Sequence, residues 1–184
     1  MLAPPFPAAA IAAARDAAKL HLRISGAAED ALLERHAATA LALCEAFTGQ
    51  ALIVRTWEAV LPALAKWQRL GGAPVAAINS VEGLPAEGAG FALPAGSYAI
   101  DIDAASEGWV RVTSPSAAGR VRVGYAAGLA AEWSGLPAPL AQGVVLLAAH
   151  LFEARASGGA PPAAVAALWR PWRRLRLETA RRSA

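Results

Sequence analysis

Few residues of this chain are typed and spaced for chemistry. The three histidines, His21, His36 and His150, fall on three different predicted segments. His150 and Glu153 stand one helical turn apart and could share a metal ion. One pair supplies too few ligands for a closed site, so it is read as a surface or interface pair. Asp101 and Asp103 fall on one face of a predicted strand and could hold a divalent cation or work as an acid/base pair. Their alternation with Ile100 and Ile102 already explains them as the solvated face of that strand. Cys44 is the single cysteine. It excludes an internal disulfide framework and a cysteine-rich zinc module. It lies on the apolar stripe of a predicted helix, whereas a reactive thiol needs an electropositive, partly exposed setting, so it is read as structural. The glycines near 83–96 follow no dinucleotide-binding spacing and precede no helix. No phosphate loop, nucleophile elbow or zinc-protease motif occurs. No catalytic residue, metal or cofactor is therefore expected.

Six tryptophans remain to be explained. Trp57, Trp67, Trp109 and Trp133 are spread over a strand-rich region and its exit, where packing in a core or interface is the default. Trp169 and Trp172 differ, because they are interleaved with arginines in Leu168-Trp-Arg-Pro-Trp-Arg-Arg-Leu-Arg-Leu177. A segment of this composition is not expected to bury itself readily in its own domain. Three readings stay open: an anchor for a partner protein, a nucleic-acid contact through phosphates and stacking, or a solvated helix lying on its own body.

Charge sets this segment apart. Residues 165–184 hold six arginines and one acid, a local charge of +5, within a chain whose net charge is +3. The rest is therefore a slightly acidic body, and a basic tail of this kind seeks an acidic partner. The hydrophobic fraction of 56% owes much to alanine. The longest apolar run, 140–149, is broken by Gln142 and is too short for a bilayer, which needs about 20 residues. No membrane partner is expected. The N-terminus is apolar but lacks a basic leader region before Arg15, and prolines 4, 5 and 7 interrupt it, so it is not read as a signal peptide.

The elements that would position these residues can be read from periodicity. Residues 8–23 predict a helix, entered from the proline cluster. Residues 28–47 predict a second, with Ser25 as a candidate cap. Its face runs Leu33, Ala37, Ala40, Cys44 and Phe47, widened by Leu32 and Leu43, and Gly49 ends it. Strands are predicted over 52–61, 75–81, 98–103, 109–113 and 120–125, with a short one at 91–93. Residues 63–74 are a turn of helix or an irregular loop. A helix from about 139 to 156 is followed by the glycine- and proline-rich stretch 157–162. A last helix from 163 is kinked or stopped by Pro171. Strands grouped between helices predict an α+β fold: two N-terminal helices, a β-rich middle of short antiparallel strands, and two C-terminal helices, the last an extended basic anchor. The expected organisation is a body over 1–156, a hinge over 157–162 and a C-terminal basic helix or tail over 163–184.

Several stretches resemble the head–tail connector (adaptor) proteins of long-tailed phages. Ala17-Ala-Lys-Leu-His-Leu-Arg-Ile24, the acid-started helix ending Cys44-Glu-Ala-Phe-Thr-Gly-Gln-Ala-Leu-Ile53, and Arg55-Thr-Trp-Glu58 look like the family's opening. Val121-Arg-Val-Gly-Tyr-Ala-Ala-Gly128 looks like its strand and glycine turn. Leu136-Pro-Ala-Pro-Leu-Ala-Gln142 with Ala148-Ala-His-Leu-Phe-Glu-Ala-Arg155 looks like its proline-led third helix. The resemblance spans about residues 15–177, with 62–97 poorly matched. The alanine- and arginine-rich style is most similar to the adaptor of gene transfer agents.

This resemblance implies a structural protein and no enzyme. Such adaptors form a homo-oligomeric ring, usually of twelve, between the portal protein and the next neck or tail component, a stopper or tail terminator. The ring continues the channel through which DNA passes without sequence specificity. Assembly in the bacterial cytoplasm and a final place in the neck of a phage or phage-like particle are implied as well. The family's C-terminal segment commonly docks on the portal. That would give Leu168, Trp169, Arg170, Trp172, Arg173, Arg174, Leu175, Arg176 and Leu177 a portal-binding role. The alternative is a nucleic-acid-binding protein that uses the arginine-rich tail.

Overall fold

A computed structural model describes residues 3–154 and 160–174. Helix α1 (Ala8–Leu22) buries Ala10, Ala14 and Ala18, a single row at spacing four. Alanine there lets a neighbouring helix approach closely while keeping the best helix propensity. Helix α2 (Asp30–Thr48) buries Leu33, Ala37, Ala40 and Cys44, as the periodicity predicts. Gly49 closes it in the left-handed conformation (φ 68°), the C′ role expected of glycine. Ser25 does not cap it; the N-cap is Glu29, which makes no side-chain capping bond. Leu43, expected to widen the buried stripe, is 46% exposed. Arg15–Glu34 and Lys19–Asp30 ion pairs join α1 to α2.

The β-rich middle forms two antiparallel sheets. The first has the order β1-β7-β3-β4, from β1 (Arg55–Pro62), β7 (Ala118–Ala127), β3 (Val75–Pro85) and β4 (Phe91–Ala92). The second has the order β2-β6-β5, from β2 (Gln68–Arg69), β6 (Gly108–Val112) and β5 (Tyr98–Ile102). The two sheets share one core, built around Trp57, Leu70, Val110, Val112, Val121, Val123 and Tyr125. Regular strand begins at Arg55 rather than at residue 52, because Leu52 and Ile53 turn into the helical core instead. The ambiguous stretch 63–74 holds only the two-residue strand β2. β3 runs four residues past its expected end, along β7. The expected inward face of β5 is the clearest miss: Ile100 is 44% and Ile102 40% exposed. β5 is an edge strand, and alternation cannot tell a covered face from an open one.

Helix α3 (Ala138–Glu153) enters from Pro137 and buries Leu140, Gly143, Val144, Leu147 and Ala148. Helix α4 (Ala163–Trp169) is seven residues long and runs into one 3-10 turn, Arg170–Trp172, that contains Pro171. A second core, separate from the β core, joins α1, α2, α3 and α4 with Leu52, Ile53 and Leu136. Among the described residues no helix is long and apolar enough to cross a membrane. The observed class is α+β with the expected order of elements.

Candidate functional site

The C-terminal segment lies against its own body. Val165 and Trp169 are buried, Leu168 and Trp172 half-buried, and all four pack with the helical core. Trp169 is only 3% exposed. Its indole N–H donates to the carbonyl of Leu140 at 3.3 Å, and its ring lies 5.9 Å from that of Phe47. Gly143 makes the notch that receives it, since a β-carbon there would sit 2.1 Å from Nε1. The expectation that this segment resists burial in its own domain therefore fails for Trp169. A residue at 165, 168, 169 and 172 marks one helical face, and that spacing was the available signal. The interleaved arginines masked it.

The arginines divide by direction. Arg170 and Arg173 are exposed, with the Arg173 guanidinium 5.8 Å over the ring of Phe47. Arg174 is half-buried and ties the segment to both layers. Its backbone N–H donates to the carbonyl of Thr48 at 2.8 Å, at the end of α2. Its guanidinium donates to the carbonyl of Ala105 at 2.9 Å and lies 3.4 Å from Glu107 Oε1, on the β5–β6 turn. Gln50 Nε2 donates to the carbonyl of Trp172 at 2.5 Å. Leu175, Arg176 and Leu177, also expected to bind the portal, lie outside the described residues, as do residues 157–159 of the expected hinge.

A second constellation was not foreseen. Arg55 at the start of β1 meets Glu45 on α2 through two bonds of 2.8 Å, with both side chains nearly buried. Glu45 Oε1 also accepts the backbone N–H of Leu52, and Arg55 Nε donates to the carbonyl of Pro4 at 3.0 Å. The guanidinium carbon lies 4.4 Å from the Phe6 ring centroid and 4.7 Å from that of Trp57. This cluster joins the N-terminal strap, α2 and β1. A cleft of about 580 Å³ beside it is lined by Pro5, Gly49, Gln50 and Gly72, among others. The cluster has no nucleophile and reads as a structural rivet.

Two of the sequence candidates for chemistry, Asp103 and Cys44, resolve as turn and packing residues. Asp103 Oδ1 accepts the backbone N–H groups of Ala105 and Glu107, and Oδ2 accepts the indole N–H of Trp109. These bonds, that from Glu107 foremost, hold its carboxyl below the usual carboxylate range. Asp103 thus ties the β5–β6 turn, while Asp101 faces Trp109 across the ladder. Cys44 is fully buried, and desolvation pushes its thiol well above the ordinary range. Among the described residues no three His, Cys, Asp or Glu side chains cluster to hold a metal.

No protein-family model and no curated protein matches the chain. Solved structures do, over almost its whole length. A chain in the neck of an empty GTA particle, computed with C6 symmetry, is 32% identical, with 98% of this chain and 99% of that one covered and a TM-score of 0.80. A chain in the virion of the native gene transfer agent (GTA) particle is 34% identical, with coverages of 97% and 96% and a TM-score of 0.74. A chain in the neck of the native GTA particle, computed with C12 symmetry, is 31% identical, with coverages of 98% and 100% and a TM-score of 0.74. The chain belongs to the head–tail adaptor family of gene transfer agent necks. As a neck adaptor it has a structural role, and its place is the neck of a phage-like particle. The coverage includes the stretch 62–97, which the sequence motifs of the adaptor family matched poorly. It also extends over both constellations above: the Trp169 clamp and the Arg55 rivet are internal fastenings of an adaptor subunit.

Proposed function

We propose that copies of this adaptor close into a ring, of twelve as in the C12 neck, that joins the portal protein to the next neck or tail component and continues the DNA channel. The observation that carries this is the near-complete match, above 30% identity, to neck chains in particles computed with sixfold and twelvefold symmetry. The portal-binding role stays with the C-terminal segment, in a revised form. Trp169 is spent on the body, so the surface offered to a portal consists of exposed Arg170 and Arg173, the partly covered Trp172, and Leu175, Arg176 and Leu177 beyond them. Acidic groups on the portal would pair with the arginines. Twelve such joints on one ring act by avidity, so each can be modest. On this reading the body includes the Trp169 clamp, Arg170, Trp172 and Arg173 form the near part of the portal surface, and the residues after Arg174 are the part the docking cannot do without.

The test is capture of the full chain on purified portal, against a chain lacking residues 175–184. A cut at Ala164 would remove Trp169 from the core and confound docking with unfolding. The expected result is loss of capture with an unchanged melting temperature. Equal capture of both chains refutes the docking. Salt-sensitive binding of the full chain to bare DNA, with no portal capture, would replace it by the nucleic-acid reading.

A further inference from the structure

A ring of identical subunits joins through two different faces, because the contact is head-to-tail and closes by rotation. Among the described residues Leu20, Leu43, Val60, Leu64, Trp67, Ile100 and Ile102 are the large apolar side chains left exposed, and Trp67 is the one aromatic of them. With Leu64 it forms a protruding apolar feature, on a different layer from a receding one and with no residue in common. The protruding one lies at the entry to β2. Trp67 is 42% and Leu64 39% exposed. Both are held on β6: the Leu64 carbonyl accepts the N–H of Val112, and the Arg111 guanidinium sits 4.8 Å from the Trp67 ring centroid. The indole is thus presented to solvent in a fixed place, as anchor residues of interfaces are.

The receding feature is a groove of about 480 Å³ among α2, α3 and α4. Leu43, Phe47, Leu147, Pro162, Val165 and Ala166 line it. Its wall is apolar, and Leu43 is 46% exposed on its rim. A volume in the roughly 300–1,000 Å³ range of small-molecule sites takes an indole easily. Leu43 lies on the predicted buried stripe of α2, yet its own described fold leaves it 46% exposed.

Resting on the ring reading above, we infer that the groove of one subunit receives Trp67, with Leu64, of its neighbour. The occupant is a second copy because the ring needs two unlike faces, and the chain supplies a knob and a groove on opposite kinds of layer. An exposed apolar knob that fits a pocket elsewhere on the same molecule makes this kind of head-to-tail contact. Each copy uses its knob on one neighbour and its groove on the other at the same time.

The experiment places a photo-reactive group in the full chain, Trp67→p-benzoylphenylalanine, and irradiates assembled particles. The expected product is a ladder of adaptor oligomers whose adducts map to residues 43–47 and 161–169. Adding Leu43→Glu, an exposed position, should lower the yield by at least about tenfold. Adaptor ladders with adducts on another part of the chain overturn the knob-and-groove contact and leave the ring intact. Adducts to a different neck protein overturn it too, and make Trp67 a docking residue for that protein. Electron cryo-microscopy of the neck of the unsubstituted particle separates the two levels. If it shows a ring of adaptor copies while position 67 gives no ladder, the contact is wrong. If it shows no ring, the ring reading itself falls.

Discussion

Gly143→Ala should eject Trp169 from the helical core. The added methyl would lie 2.1 Å from the indole Nε1 and 2.8 Å from Cδ1 and Cε2. No real β-carbon tolerates such distances, and Phe47 stands beside the indole at 5.9 Å between ring centroids, so the ring must leave its notch. Losing the whole buried side chain would cost about 3–5 kcal/mol, the range for Trp→Ala in a core. The hydrogen bond to the Leu140 carbonyl, about 1 kcal/mol, goes with it and is already counted in that range. Against this stands the helix-propensity gain of alanine over glycine in the middle of α3, about 1 kcal/mol. The expected net destabilisation is therefore about 2–4 kcal/mol.

The double mutant makes the reasoning refutable. With Trp169→Ala in place, the steric conflict disappears and only the propensity gain remains. Gly143→Ala should then stabilise, by about 1 kcal/mol, so the same substitution changes sign between backgrounds. Urea titrations of the four proteins, followed by far-UV circular dichroism, give the cycle. Amide hydrogen exchange adds a local readout. Seven residues of helix cannot persist alone, so α4 should lose protection as a unit in Gly143→Ala. A neutral or stabilising effect in the wild-type background would refute the notch.

Two further outcomes follow from the fastenings. Arg55→Ala leaves Glu45 buried and unpaired and should cost about 3–5 kcal/mol, while the paired apolar replacement Arg55→Met with Glu45→Leu should cost far less; thermal melts of the three proteins check this. Asp103 has a depressed folded pKa, so the folded state binds fewer protons there than the unfolded chain. Its contribution is complete above the unfolded value near pH 4 and is lost as pH falls through the lower folded one. Asp103→Asn should therefore be less stable than wild type at pH 6 and converge with it as pH falls through the lowered folded value, and parallel urea midpoints across the acid range would contradict the turn-tying role.

What could be read in advance was whatever is periodic or local. The α2 face Leu33–Ala37–Ala40–Cys44 and the alternation of β6 and β7 follow from side-chain direction alone. The order of family motifs survived even where each was weak, because order and spacing are properties of the chain. Failures came where a residue's fate depends on a distant one. Trp169 is buried because Gly143, on another helix, leaves room for it. Glu45 and Arg55 pair across the end of α2, a junction that no periodicity describes. Ile100 and Ile102 alternate as a buried face should, yet sit on an edge strand, and Leu43 lies on a stripe wider than the helix that covers it. Asp103 was placed on a strand face by parity, but the strand ends one residue earlier and it serves the turn.

The buried tryptophan also changes what a tail anchor has to do. A segment free from residue 163 onward would lose backbone freedom on docking, at roughly 1–2 kcal/mol per ordered residue. The clamp removes that loss for residues 163–174, because folding has already ordered them. Arg174 is pinned to Thr48 on one layer and Glu107 on the other. The gain comes from preorganisation rather than from added contact area. It predicts a division of labour within one arginine-rich segment. Trp169→Ala should weaken portal capture by loosening residues 163–174. Substitutions beyond Arg174 should weaken capture with no effect on stability.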